Sequence, residues 1–390
     1  MNYSQRLHKV IPAGCHTYSR GDDQFPFNAP QALVSGSGAY VYGGDGKEYL
    51  DYGMGLRAVV CGYNEKAITN AALEGMLAGN CLTRPSVIEL AAAELACSLL
   101  DLDMVKFTKN GSTATTSAVK LARAVTGRSA IACGNQPFFS YDDWFIGTTK
   151  RSLGTSGHSA VKFRDANDLD LLARQVKIAC AILEPKDYDL QAMRDVCDRH
   201  GIILIFDEMI TGFRYDWPSV SQVSGVKPDL ACFGKGMANG FSVACIGGKR
   251  EIMEIGARPD FFFASSTHGA EMSGLAAFMA TVKFMEEHNV SKHLRDYLVE
   301  LEKWLPAYVF PRFFRNDDAL PVTHINGYEI EKTIFMQEMC RNGVLMPYIS
   351  PSYRHGEHEL ALTKQAIEKS LDAIGNGVKL EGKKVKGVFS

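Results

Sequence analysis

The 390-residue chain lacks the features that mark several common classes of protein. Its 42 basic and 44 acidic residues give a formal net charge of −2, so it has no basic excess of the kind that favours nucleic-acid binding. No run of about 18 uncharged apolar residues occurs, so we expect neither a membrane-spanning helix nor a membrane partner. The first ten residues contain no apolar stretch typical of a secretory signal, so the cytoplasm is the expected location.

The ten cysteines include no pair at the Cys-x-x-Cys spacing that is typical of zinc sites and redox pairs. Most lie in apolar stretches such as Ala231-Cys232-Phe233, which predicts small core residues in the reduced state. The nearest group of metal-ligating residues, His355-Gly356-Glu357-His358, has no obvious third ligand. We therefore expect no metal site and interpret this group as a surface loop.

Basic residues are concentrated in one place only, the tail from Lys379 to Lys386. A short run of this kind is usually solvated, so we predict an exposed tail rather than a binding patch. No internal repeat or low-complexity stretch indicates a repetitive fold.

Short apolar runs alternate with amphipathic stretches through the middle of the chain. The amphipathic stretches include Ser117–Val125 and Leu190–His200 and predict helices. The apolar runs are too short for helices and rich in Ile, Val and Phe: Met104–Phe107, Ser129–Cys133, Ile178–Leu183, Ile202–Phe206, Leu230–Phe233 and Val243–Ile246. This alternation predicts an α/β fold with a mostly parallel sheet between two layers of helices.

The residue composition and the predicted secondary structure change near both ends of the chain. The first 60 residues are rich in Gly, Tyr, Asp and Pro and predict loops and short strands. After a helical stretch that ends near Glu287, the remaining residues predict a smaller α+β unit. We therefore predict an N-terminal segment (1–60) that joins the small domain, a large domain (61–285) and a C-terminal small domain (286–390).

The residues that follow three of the apolar runs suggest chemistry, because ligands of open α/β sheets bind at the carboxyl ends of the strands. After the first run come Asn110, Gly111, Ser112 and Thr113, and then a helical stretch. Small residues at a helix start allow backbone N–H groups and hydroxyls to hold a phosphate. An ordinary N-cap explains the same residues equally simply.

An acid and a lysine follow two later runs. Asp207 ends the run Ile202–Phe206, and a buried carboxylate there suits a protonated pyridine nitrogen, although a structural ion pair is the simpler alternative. Lys235 follows Phe233-Gly234, where burial would favour the neutral amine that forms imines, although most lysines are exposed. Anion cradle, acid and amine together are the parts of a pyridoxal 5′-phosphate (PLP) site.

The stretch Asp207-Glu208-Met209-Ile210-Thr211-Gly212-Phe213-Arg214, with Phe233-Gly234-Lys235-Gly236 downstream, strongly resembles class III PLP-dependent aminotransferases. Within that class the chain is most similar to the glutamate-1-semialdehyde aminomutase-like group, most clearly from Ile11 to Ala277. The resemblance implies PLP fold type I, the fold of aspartate aminotransferase. It also implies a cytoplasmic homodimer with shared active sites.

The resemblance assigns a role to each matching residue. Lys235 corresponds to the Schiff-base lysine, which also carries the proton in the 1,3-shift, and Asp207 to the acid under the pyridine nitrogen. Met209 stands against the ring face, where the family usually has Val. Ser112 and Thr113 match the phosphate cradle.

Four further positions are implied in the same way. Thr267 matches a threonine that reaches the phosphate of the neighbouring subunit, and Glu184 belongs to a Glu-Pro pair near the cofactor. Arg20 matches the residue that binds the substrate carboxylate in aminomutases. Phe138 stands where the family usually has Tyr, in Tyr-His-Gly, so it keeps a ring that stacks but lacks a hydroxyl; alternatively, Phe138 and Phe139 are both core residues.

Other departures from the aminomutase pattern favour a transaminase. Ala238-Asn239-Gly240 and Gly269-Ala270-Glu271 stand where the aminomutase usually has Gly-Gly-Gly and Gly-Asn-Pro. The loop after Glu184-Pro185 is short, which leaves the identity of the substrate open, because this loop shapes the substrate entrance in relatives. We therefore expect transfer of an amino group from an amino-acid donor, glutamate, to a carbonyl acceptor of the sugar or polyol-phosphate class. The alternatives are aminomutation, decarboxylation or racemisation at the same site, or a catalytically silent PLP-fold protein.

Overall fold

The computed structural model describes residues 1–136, 138–146, 160–214, 216–258, 264–305, 314–315, 318–319 and 329–386. The chain divides into two compact units. Unit 1 combines Met1–Lys66 with Met285–Ser390, and unit 2 is the continuous stretch Ala67–Phe284.

The strands are β1 (Leu33–Ser37), β2 (Tyr40–Gly43), β3 (Glu48–Asp51), β4 (Met104–Thr108), β5 (Ala130–Cys133), β6 (Ala160–Lys162), β7 (Ile178–Leu183), β8 (Ile203–Asp207), β9 (Leu230–Phe233), β10 (Ala244–Gly248), β11 (Phe314–Arg315), β12 (Asp318–Ala319) and β13 (Val344–Leu345). The helices are α1 (Tyr3–Val10), α2 (Met54–Arg57), α3 (Lys66–Leu77), α4 (Val87–Leu100), α5 (Gly111–Thr126), α6 (Asp143–Ile146), α7 (Ala166–Gln175), α8 (Leu190–His200), α9 (Val220–Ser224), α10 (Arg250–Met253), α11 (Met272–Glu287), α12 (Val290–Glu302), α13 (Glu329–Arg341) and α14 (Glu357–Gly375).

Unit 2 is built on a seven-stranded sheet with the order β4-β10-β9-β8-β7-β5-β6. The pairs β5–β6, β5–β7, β7–β8 and β8–β9 are parallel, whereas β10 runs antiparallel to both of its neighbours. The mostly parallel α/β sheet is thus confirmed, and all six apolar runs form strands. The short strand β6 was not predicted, because three residues leave too short an apolar run to detect.

Local signals explain where the main helices of unit 2 begin and end. Ser86 caps α4 and accepts a hydrogen bond from the Glu89 backbone, while the Glu89 side chain returns to the Ser86 N–H. The Asn110 side chain caps α5 by accepting a hydrogen bond from the Thr113 N–H. α8 ends where Gly201 adopts a left-handed conformation at little steric cost.

The strand register brings the candidate site residues to one edge of this sheet. Asp207, the last residue of β8, lies opposite Cys232 of β9, so the chain leaving β9 passes beside it. Thr108, which ends β4, lies opposite Ala244 at the start of β10. Because β10 runs against the other strands, the carboxyl ends of β4, β5, β7, β8 and β9 share this edge.

Unit 1 contains a four-stranded sheet with the order β1-β2-β3-β13, in which β13 runs parallel to β3. A buried hydroxyl network stabilises the core beneath it. The Tyr52 hydroxyl lies 2.5 Å from that of Tyr297 and 2.7 Å from that of Thr363. Every polar group of this set therefore has a partner away from water.

His355 does not belong to a surface loop, which corrects the sequence interpretation. The residue is completely buried, its ring lies 4.8 Å from that of Tyr52, and its Nδ1 accepts a hydrogen bond from the Ser352 N–H at 3.1 Å. Packing against the Tyr52 ring therefore holds His355 in the interior. Among the described residues, no group of three His, Cys, Asp or Glu side chains is arranged to hold a metal ion.

The lysines of the basic tail, 379, 383, 384 and 386, are exposed as expected, but the backbone of the tail is anchored. Val385 is 3% exposed, and its N–H donates to the Thr333 hydroxyl at 3.0 Å. The Lys386 N–H donates to the Asp23 carbonyl at 2.8 Å. A single apolar residue, Val385, thus anchors a run that its charge alone would predict to be solvated.

No helix in the described part of the chain is long and apolar enough to cross a membrane.

A buried charge cluster connects the strands of unit 2. Asp229, 5% exposed, accepts a hydrogen bond from the Leu204 N–H at 2.7 Å. It also pairs with Arg194 of α8 at 2.9 Å and with Lys249 at 2.6 Å. One carboxylate therefore holds β8, α8 and the residue after β10 at the start of β9.

We expect Asp229→Ala to lower the free energy of unfolding by about 3–5 kcal/mol, because it leaves a buried guanidinium without its partner. Chemical denaturation measures the loss. Asp198→Ala is the matched control: it removes the exposed second partner of Arg194, at 2.7 Å, and should cost less than about 1 kcal/mol. Equal losses in the two variants would contradict the importance of the buried cluster.

Candidate active site

Asp207 is a buried carboxylate at the end of a central strand. It is 6% exposed, and its Oδ1 accepts a hydrogen bond from the Met209 N–H at 3.0 Å. Burial raises the pKa of Asp207 to about 7, although the positive charge of Lys235 nearby acts in the opposite direction. The carboxylate therefore occupies a position in which a cationic partner would stabilise its ionised form.

Lys235 begins the short 3₁₀ turn Lys235–Ala238 directly after β9 and Gly234. It is partly buried, and its φ of +43° lies in the region that non-glycine residues rarely adopt. Such a conformation costs on the order of 1–3 kcal/mol and is concentrated at functional sites. The strain thus falls on the residue that the sequence marks as the amine.

Met209 lies between two glycines that come from different elements. A Cβ atom at Gly111, the first residue of α5, would lie 2.9 Å from the Met209 Sδ atom, and one at Gly234 would lie 2.7 Å from it. Neither position therefore accepts a larger residue while Met209 stays in place. Because both residues lack a side chain, the start of α5 and the residue before Lys235 can approach Met209 closely.

The start of α5 forms the predicted cradle. The Asn110 Oδ1 accepts hydrogen bonds from the Thr113 N–H at 2.9 Å and from the Thr113 hydroxyl at 3.1 Å. Thr113 therefore already serves the cap, and the early N–H groups of Gly111 and Ser112 have no partner within the helix. The N-cap and anion-cradle interpretations are compatible, because they use different donors.

The two phenylalanines after β5 have different environments. Phe139 is 2% exposed and packs edge-on against Phe145 at 5.6 Å, whereas Phe138 is 48% exposed. The Thr115 hydroxyl of α5 donates to the Phe139 carbonyl at 3.0 Å. Phe139 is a core residue that ties this segment to the helix bearing the cradle, and Phe138 keeps an accessible ring face.

Glu184 follows β7, two strands from Lys235. It is 7% exposed, and its negative charge contributes to the raised pKa of Asp207, so the two carboxylates are close. Its Oε1 lies 3.5 Å from the Lys186 ammonium but has no hydrogen bond within the described part of the chain. The ion pair is long, since charge-assisted hydrogen bonds measure about 2.7–2.9 Å.

Thr267 and Arg20 belong to other parts of the chain. Thr267 is in an exposed turn of unit 2 whose far end, Glu271, pairs with Lys109 at 3.0 Å just before the cradle. Arg20 is an exposed residue of unit 1. The structure thus brings together Asp207, Met209, Lys235, Glu184 and the start of α5.

Glu208 is a buried acid that the sequence interpretation left without a role. It is fully buried and accepts four hydrogen bonds at 2.8–3.0 Å, from the N–H groups of Val220 and Ser221 and from the hydroxyls of Thr211 and Ser221. It closes the loop after β8 and so fixes Asp207 and Met209. The hydroxyl residues Thr211 and Ser221, which follow Glu208 in the sequence, were the available signal that this acid is held by hydrogen bonds.

The residues of this edge fit PLP in chemical type. Asp207 suits a protonated pyridine nitrogen, because burial leaves its carboxylate with a single backbone donor. Lys235 supplies an amine, and the N-terminus of α5 supplies N–H donors for a phosphate. A side chain at Gly111 or Gly234 would displace Met209 from the space above Asp207.

Comparison with known proteins supports the same chemistry. The family described as Aminotransferase class-III matches residues 18–375. A glutamate-1-semialdehyde 2,1-aminomutase from Archaeoglobus fulgidus is 29% identical over 95% of this chain and 98% of its own length.

Solved structures share the fold across nearly the whole chain. The Sphingopyxis sp. MTA144 FumI protein superposes with a TM-score of 0.86 at 23% identity, covering 96% of both chains. An omega-transaminase from Sphaerobacter thermophilus superposes with a TM-score of 0.81 at 22% identity, covering 95% of this chain and 96% of its own. The chain therefore belongs to the class-III aminotransferases, PLP-dependent enzymes of fold type I.

Proposed function

We propose that the protein is a transaminase that moves an amino group from an amino-acid donor, glutamate, to a carbonyl acceptor of the sugar or polyol-phosphate class. The observation that carries the reaction type is the pair of Asp207, with a pKa raised to about 7, and Lys235, held at a positive φ beside it. The acceptor class follows from analogy with related proteins.

PLP, when bound, supplies an electron sink that stabilises negative charge on the carbon bearing the amino group. Lys235, directly after β9, provides the amine that would attach the cofactor. Once released from the cofactor, the same Nζ atom would move a proton between the carbon that gives up the amino group and the carbon that receives it. One residue thereby serves as anchor and as base.

Asp207 orients and charges the cofactor ring from below. A carboxylate that is destabilised by burial gains most from a cationic partner, so it holds the proton on the pyridine nitrogen. Met209 would contact one face of the cofactor ring, and Phe138, whose side chain is exposed, would stack on the other. Glu184 adds negative charge near the nitrogen end.

The start of α5 would hold the cofactor phosphate through Ser112 and the early N–H groups of the first turn, and Thr113 would join them if its hydroxyl left the Asn110 cap. Thr267 lies on an exposed turn and serves the cradle of a second copy of the chain. The enzyme is therefore proposed to act as a homodimer with shared sites, and Arg20 to bind the carboxylate of the donor.

Aminomutation is the second candidate, because the relative at 29% identity is named glutamate-1-semialdehyde 2,1-aminomutase. That reaction uses one substrate as donor and acceptor, whereas transamination uses two in turn. Glu271, which pairs with Lys109 at 3.0 Å, stands where the aminomutase usually has the Pro of Gly-Asn-Pro, and this departure favours the transaminase.

We expect Lys235→Ala to abolish the lysine-bound visible absorbance and to lower amine transfer at least about a thousandfold. Borohydride reduction of the wild type should add the cofactor mass to the peptide that contains Lys235. Lys227→Ala, which removes an exposed lysine paired with Asp101, is the control and should keep both properties. Trapping on another lysine would refute the assignment.

We expect Asp207→Asn to stabilise the cofactor-free protein at high pH while impairing amine transfer. The folded-state pKa of about 7 lies above the unfolded value of 3.8, so stability is lost as the pH rises through this interval. The difference corresponds to at most about 4 kcal/mol at high pH.

Thermal unfolding of the apo forms at about pH 5 and about pH 8 measures this effect. The Tm advantage of Asp207→Asn should grow with pH, and the exposed control Asp198→Asn should show no such trend. A wild type that gains stability across this range relative to Asp207→Asn would contradict a raised pKa.

Half-reactions separate the two candidate functions. Glutamate alone should convert the lysine-bound cofactor to its amino form, seen as loss of visible absorbance, and a carbonyl acceptor should restore it. Glutamate-1-semialdehyde should turn over slowly. Rapid conversion of glutamate-1-semialdehyde to 5-aminolevulinate, without response to glutamate, would favour the aminomutase.

A further inference from the structure

The chain that leaves β5 in unit 2 carries Phe138, the ring proposed to stack on the cofactor. β6 borders this part of the chain, because Lys162, the last residue of β6, lies opposite Cys133, the last residue of β5. The two strands are parallel, so their carboxyl ends reach the edge of the sheet where Asp207 lies. Lys162 therefore lies where the chain starts towards Phe138.

The Lys162 ammonium binds the main chain that follows β5. Its Nζ atom donates to the Gly134 carbonyl at 3.0 Å and to the Gln136 carbonyl at 3.2 Å. The same atom lies 5.1 Å from the centre of the Phe145 ring, within the range of cation–π attraction. Although the residue as a whole is exposed, desolvation of its ammonium lowers the pKa of Lys162 below its usual range. The charged end of the side chain thus faces the protein.

A tyrosine hydroxyl binds the same stretch of main chain. The Tyr188 hydroxyl accepts a hydrogen bond from the Asn135 N–H at 2.9 Å and donates to the Gln136 side chain at 3.3 Å. Tyr188 therefore fixes the peptide N–H between the two carbonyls that Lys162 binds. Of the two groups, Lys162 holds the carbonyl nearest to Phe138 in the sequence, that of Gln136.

Phe138 lies between two anchored carbonyls. Lys162 binds the carbonyl of Gln136 on one side, and the Thr115 hydroxyl of α5 donates to the carbonyl of Phe139 at 3.0 Å on the other. The Phe138 side chain is 48% exposed, so packing restrains its ring only in part. The direction of the ring therefore depends on the main chain, and the main chain depends on these two donors.

We propose that Lys162 is a positioning residue of the cofactor site: by binding the Gly134 and Gln136 carbonyls, it holds the chain that presents Phe138 to the cofactor ring. This role rests on the proposed function in one respect, the stacking of Phe138. A ring that is held in its stacking position before the cofactor arrives loses less conformational entropy on binding. Loss of the Lys162 ammonium should therefore weaken cofactor binding, although Lys162 itself does not touch the cofactor.

The dissociation constant of PLP tests this role, measured on the full chain from the absorbance of the lysine-bound cofactor. Lys162→Met keeps the apolar stem but removes the N–H donors, and it should raise the dissociation constant about tenfold, as expected for a lost hydrogen bond from a charged group. Lys162→Arg, which keeps charge and donors, should recover most of the affinity. Lys177→Met is the matched control, because Lys177 is an exposed lysine before β7, and its dissociation constant should stay within about twofold of wild type.

A double-mutant cycle with Phe138→Ala decides whether Lys162 acts through Phe138. Once the Phe138 ring is gone, Lys162→Met should change the dissociation constant of PLP by less than about twofold. A lysine that merely stabilises the fold would weaken binding by the same factor with and without the ring, and that result would overturn the proposal. Unchanged affinity in Lys162→Met, or an equal loss in Lys177→Met, would overturn it as well.

Two further outcomes separate this role from the proposed reaction. If glutamate does not convert the wild-type cofactor to its amino form, the transaminase is refuted, and the PLP dissociation constants still decide the role of Lys162. If Phe138→Ala binds PLP as tightly as wild type, Phe138 does not contribute to cofactor binding. The role of Lys162 then falls with the stacking, whereas the transaminase is still judged by the response to glutamate.

Discussion

The burial of one carboxylate is the constraint on which the candidate site depends. Asp207 lies at the end of β8 with a single backbone donor, and burial raises its pKa to about 7. A protein tolerates such a group when a cationic ligand compensates it. The surrounding elements keep the position intact: Glu208 closes the following loop with four hydrogen bonds, and Met209 is enclosed by two glycines.

Much of the fold could be predicted because its signals are local and periodic. Six apolar runs became six strands of one sheet, and α8 begins and ends at the predicted residues. β6 escaped detection because it has only three residues. His355 was misjudged because packing against Tyr52, a residue distant in the sequence, overrides its local polarity. In the same way, the contact of Val385 with Thr333, which anchors the exposed basic tail, could not be predicted from neighbouring residues.

Only some features of the candidate site could be predicted from the sequence. Asp207 and Lys235 were recognisable as strand-end residues, and the register of β8 and β9 brings them together. The different roles of Asp207 and Glu208 could not be predicted, because two adjacent acids look alike in a sequence until their hydrogen-bond donors are known. Nor could the sequence show that Thr113 is engaged by Asn110, or that Phe138 and Phe139 differ in exposure.

The division of the chain also orders its assembly. Unit 2 is continuous, from Ala67 to Phe284, so all of its strands have been synthesised before the second half of unit 1 exists. By contrast, Leu50 and Asp51 of β3 pair with Val344 and Leu345, across nearly the whole length of the chain. Domains fold as units during synthesis, and distant pairing pays a loop-closure cost. Unit 2 therefore folds first. The edge of β3 that later pairs with β13 stays unpaired until late in synthesis, so the nascent chain is exposed to mispairing there.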